Sequence, residues 1–117
     1  MDRNELRLYC LSRRAAVEDF PFGDDVAVFK VSGKVFALLP VAGPVRISLK
    51  CDPTWAVVLR QTYPAVKPGW HLNKKHWNTV EVDGSIADDE ILEMVEHSYQ
   101  LVVKGLTKVE RARLEES

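Results

Sequence analysis

The chain lacks the residue patterns that most directly mark a metal protein or a nucleotide-dependent enzyme. It has only two cysteines, Cys10 and Cys51, and their spacing is not the CxxC of a metal or redox site. No glycine-rich loop of the GxGxxG or GK[ST] type is present, so we expect no nucleotide cofactor. We predict that both cysteines are small buried hydrophobic residues in a reducing cytosol, in preference to a disulfide.

Long apolar runs are also missing. No run approaches the ~20 residues that a membrane helix needs, and the chain starts with charged residues and without an apolar segment, so we expect no secretory signal. The 117 residues are 46% hydrophobic and 28% charged, which is typical of an ordinary globule. We therefore predict one domain, residues 1–117, with a cytoplasmic location.

Acidic residues are nearly absent from the middle of the chain. Residues 26–80 contain eight lysines or arginines and one acid, Asp52. The flanking segments are acidic, with net charges of −2 for residues 1–25 and −6 for residues 81–117. This asymmetry predicts one of two arrangements: a single face that attracts anions, or two blocks of charge that neutralise each other across the fold.

Turn residues and hydrophobic periodicity predict an α+β fold. Helices are expected at 2–13, 53–62 and 88–105, with a short one after Thr107. Strands are expected at 15–20, 26–31, 35–39, 45–50 and 77–82, with an irregular connection over 64–69. Short glycine-containing turns between the middle strands favour an antiparallel meander with helices packed on one face of the sheet.

Three side-chain placements follow from this pattern. In the strand 45–50, Val45, Ile47 and Leu49 should face the core, while Arg46, Ser48 and Lys50 form a basic, solvated face. Asp88 should cap the longest helix. His97 should face solvent on that helix, together with Glu93, Glu96 and Gln100.

Residues 70–80 are the stretch richest in chemically versatile side chains, and they include no acid. No nucleophile with a nearby base and no metal-ligand spacing is evident, so we predict neither catalysis nor a metal site. Lysines and histidines in and around this stretch could contact phosphates, and its tryptophans could stack on a base. The predicted phosphate-contacting residues are Arg46, Lys50, Lys67, His71, Asn73, Lys74, Lys75 and His76; the predicted stacking residues are Trp70 and Trp77.

Structural roles compete with each of these assignments. Trp77 begins a strand and is more readily explained as core, the asparagines can satisfy a turn, and Lys74-Lys75 can protect a sheet edge. The isoelectric point of about 6.3 also argues against strong DNA binding. Two other functions stay open: a planar small molecule bound in a pocket of Trp70, His71, His76, Trp77 and Tyr99, or a protein partner bound by the acidic helix.

The same stretch resembles a known family. Tyr63-Pro64, the run from Gly69 to Val80 with its Asn-Lys-Lys-His-Trp-Asn core, Asp83-Gly84 and Ser98-Tyr99 are similar to the signature of the MmcQ/YjbR family, across essentially the whole chain. Position 70 is often tyrosine in that family, and Trp70 keeps an aromatic ring there. The resemblance implies a CyaY-like (frataxin-like) α+β fold, DNA binding through a double-wing motif, and no cofactor or established enzymatic reaction. It does not imply iron binding, because Asp2 and Glu5 are a thin match to a frataxin-type acidic cluster.

Overall fold

Six antiparallel strands form one sheet, in the order β1-β2-β3-β4-β6-β5, in a computed structural model that describes all 117 residues. The strands are β1 (Val17–Asp19), β2 (Val26–Val31), β3 (Lys34–Pro40), β4 (Arg46–Lys50), β5 (Val66–Pro68) and β6 (Trp77–Glu81). The helices are α1 (Arg3–Leu11), α2 (Pro53–Thr62), α3 (Asp88–Lys104) and α4 (Lys108–Glu115). None of the four helices has the length and apolarity that spanning a bilayer requires.

The helices pack on one face of the sheet and enclose the core there. Helix α3 crosses strands β2, β3 and β4, α1 lies beside α3, and α2 lies next to β5. Phe29 and Phe36 from the sheet and Ile91 and Val95 from α3 are essentially inaccessible to solvent. The predicted α+β architecture, with an antiparallel sheet and helices on one face, is therefore confirmed.

The register of β4 and β6 sorts their residues between two faces. Ile47 lies opposite Val80 and Leu49 opposite Asn78, and these residues face the helices. Because side chains alternate along a strand, the residues between them lie on the opposite side, which we call the open face. The open face at this end of the sheet consists of Arg46, Ser48, Lys50, Lys67, Trp77, Thr79 and Glu81.

The prediction of an irregular connection over residues 64–69 is wrong. Val66 pairs with Val80 and Pro68 with Asn78, so residues 66–68 form an extra strand at the edge of the sheet. Prolines made this segment resemble a loop. An edge strand tolerates Pro68 because the missing N–H can be on the side that pairs with no neighbour.

Of the three predicted side-chain placements, the one for strand β4 holds in part, and those for Asp88 and His97 are wrong. Ser48 is buried, because its hydroxyl shares a 2.8 Å hydrogen bond with that of Thr79, while Arg46 and Lys50 are half-buried. Ala87, with no side-chain hydrogen bond, is the N-cap of α3, and Asp88 lies in the first turn, where its charge still suits the helix dipole. His97 is half-buried against α2 and does not face solvent.

Candidate functional site

The β5–β6 loop, residues 69–76, is built on a close approach between its first residue and the strand that follows it. The Gly69 N–H donates to the Trp77 carbonyl over 2.9 Å, and a Cβ on Gly69 would lie only 2.8 Å from that of Trp77. His71 adopts a positive φ of 56°, which turns the chain directly after Trp70. A second turn follows, in which the His76 N–H donates to the Asn73 carbonyl over 3.2 Å.

A partly buried polar clamp attaches this loop to helix α2. The Arg60 guanidinium donates to Asn78 Oδ1 over 2.6 Å and also to the carbonyl of Lys74. Asn78, only 2% exposed, donates in turn to the Ala56 carbonyl over 3.3 Å. Because charged hydrogen bonds in a partly buried site are strong, Arg60 and Asn78 position the loop without being available to a ligand. No motif in the sequence pointed to Arg60, although it is the only charged residue within α2.

Trp70 combines a fixed backbone with a free ring. Its N–H donates to the Thr79 hydroxyl over 3.1 Å, and Thr79 is held by Ser48. The side chain is nevertheless 67% exposed, with one edge-on contact to the His71 ring at 4.9 Å between centroids. A groove of about 220 Å³ lies beside it. The groove is lined by Arg46, Lys67, Pro68, Trp70, Thr79 and Glu81.

Positive charge on this side of the molecule is only partly compensated. Glu81 forms an exposed 2.8 Å ion pair with Lys67. The remaining bases, which form no ion pair, are Arg46, Lys50, Lys74 and Lys75. No ion pair joins the acidic helix α3 to any of these bases. Within α3, Glu96 pairs with Arg13, and Glu90 accepts a hydrogen bond from Tyr63. The acids of α3 lie in the helical layer, on the other side of the sheet.

The structure brings some of the predicted site residues together and separates others. Arg46, Lys67 and Trp70 line one groove, and His71, Asn73, Lys74 and Lys75 belong to the adjoining loop. Asn73 has a structural role as well, because its side chain accepts the Lys75 N–H over 3.0 Å. His76 and Trp77 are half-buried, and the His76 carbonyl accepts the Cys51 N–H over 2.8 Å.

The five residues predicted to line a pocket for a planar ligand do not lie around one cavity. Tyr99 lies in the helical layer, where its ring packs edge-on against Phe36 and its hydroxyl donates to the Arg14 carbonyl over 2.7 Å. His71, His76 and Trp77 line neither the groove beside Trp70 nor four other cavities elsewhere in the molecule. Of the five predicted lining residues, only Trp70 borders the groove on this side of the sheet.

The potential nucleophiles have structural surroundings. Burial raises the pKa of Cys10 to about 12 and that of Cys51 to about 11, so both thiols are protonated at neutral pH. The Ser98 hydroxyl accepts the Lys50 N–H and donates to the Phe36 carbonyl, which ties α3 to the sheet. No three histidine, cysteine, aspartate or glutamate side chains come together as a set of metal ligands.

His97 is a second residue whose environment the sequence did not indicate. Its Nε2 accepts the Asp52 N–H over 3.1 Å, and its ring lies edge-on to Trp55 at 4.5 Å. Burial lowers the pKa of His97, and the nearby carboxylates of Asp52 and Glu93 oppose that shift. The neutral imidazole therefore helps to attach the start of α2 to α3.

Comparison with known proteins shows similarity over nearly the whole chain. The family model described as YjbR matches residues 11–101. The uncharacterized protein YbdF of Escherichia coli O157:H7 is 40% identical over 96 residues, which are 81% of this chain and 79% of YbdF. The uncharacterized protein YjbR of Escherichia coli K12 is 36% identical over 115 residues, 97% of this chain and 98% of YjbR.

Solved structures show the same fold. The Deinococcus radiodurans protein DR2400, with a DUF419 domain, superposes with a TM-score of 0.90 at 42% identity, over 96% of this chain and 86% of that protein. A Pseudomonas syringae protein superposes with a TM-score of 0.76 at 32% identity, over 86% of this chain and 98% of its own. These similarities confirm the predicted family and fold. A shared fold does not by itself identify a ligand.

Proposed function

The chain belongs to the YjbR family, and we propose that it binds nucleic acid, specifically DNA, through the open face and the β5–β6 loop. The observation that carries the proposal is the outward-facing ring of Trp70 beside a groove lined by Arg46 and Lys67. An exposed aromatic ring next to cationic side chains is the usual arrangement for stacking a base while its phosphates are neutralised.

The anchoring of Trp70 supports this assignment. A ring that is 67% exposed gains little for folding, yet its backbone is fixed to Thr79 and Ser48 through a hydrogen-bond chain. Because the backbone is already ordered, stacking a base on the ring costs little conformational entropy beyond that of the side chain. The loop thus presents a prepared surface to a flat ligand.

The unpaired bases supply the second part of the interface. Arg46 and Lys50 on β4 and Lys74 and Lys75 in the loop form no ion pair and can contact phosphates. The Lys74 ammonium donates one long hydrogen bond, of 3.4 Å, to the Gly69 carbonyl and keeps its other protons for a ligand. Contacts of this kind fix position without reading sequence. Because stacking on Trp70 requires a base outside a duplex, we expect a preference for single-stranded over double-stranded DNA.

A salt series with a labelled thymidine oligonucleotide tests both parts of the interface. Replacing Lys74 and Lys75 together by alanine should reduce the slope of log affinity against log salt by about 1.4, because each phosphate contact on a single strand contributes about 0.7. Trp70→Ala should cost about 1–3 kcal/mol of binding free energy with little change of slope, because this substitution removes base stacking and leaves the charges in place.

Two matched controls make the test specific. Lys104→Ala with Lys108→Ala removes two exposed charges near the α3–α4 junction, and Phe22→Ala removes an aromatic side chain that is 71% exposed, at the opposite edge of the sheet. Both controls should bind like the original protein. Salt-independent affinity, or equal losses in the controls, would contradict nucleic-acid binding at this surface.

A planar small molecule in the same groove is the second candidate, and the groove lining favours it over the pocket first predicted. Arg46 offers a charged fork and Trp70 a stacking surface, within about 220 Å³. This alternative predicts that Trp70→Ala abolishes binding while the Lys74 and Lys75 double variant has no effect. A protein partner bound by the exposed acids of α3 is the third alternative. Neither Trp70→Ala nor the Lys74 and Lys75 double variant would change the affinity for such a partner.

A further inference from the structure

We infer that a cavity in the helical layer binds a small organic anion, with a phosphate or carboxylate group held by Arg14 and Arg111. The cavity has a volume of about 390 Å³ and lies between the turn after α1, the C-terminal half of α3 and helix α4. It is separate from the proposed nucleic-acid interface, which lies on the opposite side of the sheet. Its size is within the range of small-molecule sites in proteins.

The cavity lining is divided into a cationic and an apolar part. Tyr99, Val103 and Leu114 form the apolar part, and Ser12 and Gln100 add neutral polar groups. The cationic part consists of three arginines, Arg13, Arg14 and Arg111, which come from two segments far apart in sequence. A ligand with an apolar body and one anionic end would match this division.

The charges within the lining leave two guanidinium groups available. Glu96 is fully engaged, since it accepts a 2.6 Å hydrogen bond from Arg13 and a 2.9 Å hydrogen bond from Gln100. Arg14 and Arg111 form no ion pair, and Glu115 is the one carboxylate of the lining that is also unpaired. The cavity therefore keeps a net positive charge, and its two free forks match the oxygens of a phosphate or carboxylate.

Arg13 gives the cavity a rigid wall. Its guanidinium lies 4.3 Å from the centre of the Tyr9 ring and donates to Glu96 and to the Ser12 hydroxyl. Its Nε is buried and has no hydrogen-bond partner, which is unusual because buried polar atoms are nearly always paired. Arg13 is thus held in place for packing and charge, while the neighbouring arginines stay free.

The chain beside Arg14 is also fixed in an uncommon conformation. Ala15 adopts a φ of 58°, a left-handed conformation that a residue with a Cβ seldom takes. The Tyr99 hydroxyl holds the segment by donating to the Arg14 carbonyl over 2.7 Å. Backbone conformations of this kind are concentrated at ligand sites, where they preset the position of a side chain.

Titration with phenyl phosphate, followed by ¹H–¹⁵N spectra that include arginine Nε and glutamine amide signals, tests the inference. We expect saturable shifts of the Arg111, Arg14 and Gln100 side-chain signals, and weaker binding of inorganic phosphate, which lacks the apolar body. Phenol, which has the ring without the charge, should not bind. Arg111→Gln and Arg14→Gln should each weaken phenyl phosphate binding about tenfold, as expected when one charged hydrogen bond is removed.

Arg113→Gln is the matched control, because Arg113 is exposed on the same helix but does not line the cavity. Unchanged affinity in this variant supports the site. Shifts that rise linearly without saturation, or an equal loss in Arg113→Gln, would overturn the inference, since both indicate diffuse surface charge. Circular dichroism of each variant separates lost binding from lost folding, and Arg14→Lys, which keeps the charge but not the fork, should bind with intermediate affinity.

Discussion

Gly69 shows how tightly single residues around the β5–β6 loop are constrained. The hydrogen bond from its N–H to the Trp77 carbonyl brings the two residues so close that a Cβ would also approach Leu72, at 3.2 Å. Both neighbouring atoms are Cβ atoms fixed to the backbone, so neither can move aside by a change of rotamer. The position therefore requires glycine for lack of space.

We predict that Gly69→Ala destabilises the protein by about 1–3 kcal/mol, the usual cost of overpacking. Urea unfolding followed by tryptophan fluorescence measures this loss. Gly105→Ala is the control: it has an ordinary helical φ of −83°, and its Cβ would find no atom nearer than 3.5 Å. It should be neutral or stabilise the protein by up to about 1 kcal/mol by restricting the unfolded chain. Equal stability of both variants would contradict the crowding at Gly69.

Individual residues of the 70–80 stretch differ in how well their roles could be predicted. The interpretation of Asn73 as a turn residue agrees with its bond to the Lys75 N–H. Asn78 is different, because it is buried and clamped by Arg60 from another element. Nothing in local sequence distinguishes these two asparagines, since burial depends on what packs against them.

At the scale of elements, the junction of α2 and α3 depends on one titratable side chain. Asp52 caps α2 through its side chain, while its own N–H donates to His97 of α3. The imidazole must be neutral to accept that bond. Two helices are thereby connected at a point where the ring of Trp55 also contacts His97.

We predict that stability falls as pH decreases through the titration of His97. Burial places the pKa of His97 in the folded protein below the ordinary value of 6.5, so the unfolded chain binds the proton more tightly. The neutral imidazole makes its full contribution to the free energy of unfolding above about pH 6.5. This contribution is lost as the pH falls from there towards the lowered pKa.

Thermal unfolding between pH 7 and pH 5 measures this dependence, and His97→Gln is the comparison. The amide of glutamine can still accept the Asp52 N–H but does not titrate in this range. The variant should therefore show a smaller fall in melting temperature over this range. An unchanged slope in His97→Gln would assign the pH dependence to other groups.

At the scale of the whole molecule, the fold pairs only part of the charge that the sequence places in blocks: Lys30 pairs with Asp19 and Lys67 with Glu81, while most of the other charges lie in different layers. The acids of α3 lie in the helical layer, while Arg46, Lys50, Lys74 and Lys75 lie on or beside the open face. No ion pair crosses between α3 and those four bases. The sequence left open whether the blocks would neutralise each other, and the layered packing favours the face that attracts anions.

The two cysteines report on the integrity of the whole core. Cys10 is inaccessible to solvent and Cys51 is 5% exposed, and burial raises the pKa of both thiols. We predict that iodoacetamide at pH 8 labels neither thiol in the native protein and that labelling begins only with global unfolding. Ser85→Cys, at an exposed turn, should be labelled at once and serves as the control. Rapid labelling of native Cys10 or Cys51 would indicate local opening.

Local chemistry determined much of this protein from sequence alone. Alternating β-branched residues, proline and glycine turns and capping boxes such as Thr107 with Glu110 specify most helices and strands, because these preferences act within a few residues. The fold class followed from the same signals, and the family followed from the resemblance of residues 69–80 to a known family signature. Sequence also located the densest candidate site, at residues 70–80, because side-chain chemistry is independent of folding.

Tertiary structure alone decided which of those side chains a ligand can reach. Strand β5 forms despite Pro68 because β6 supplies a partner. Ser48 and Asn78 can be buried because Thr79, Ala56 and Arg60 satisfy their hydrogen bonds. The same packing leaves Trp70 exposed beside Arg46 and assembles the arginine-lined cavity from the turn after α1, helix α3 and helix α4. Such outcomes depend on contacts between residues distant in sequence, and no local pattern encodes them.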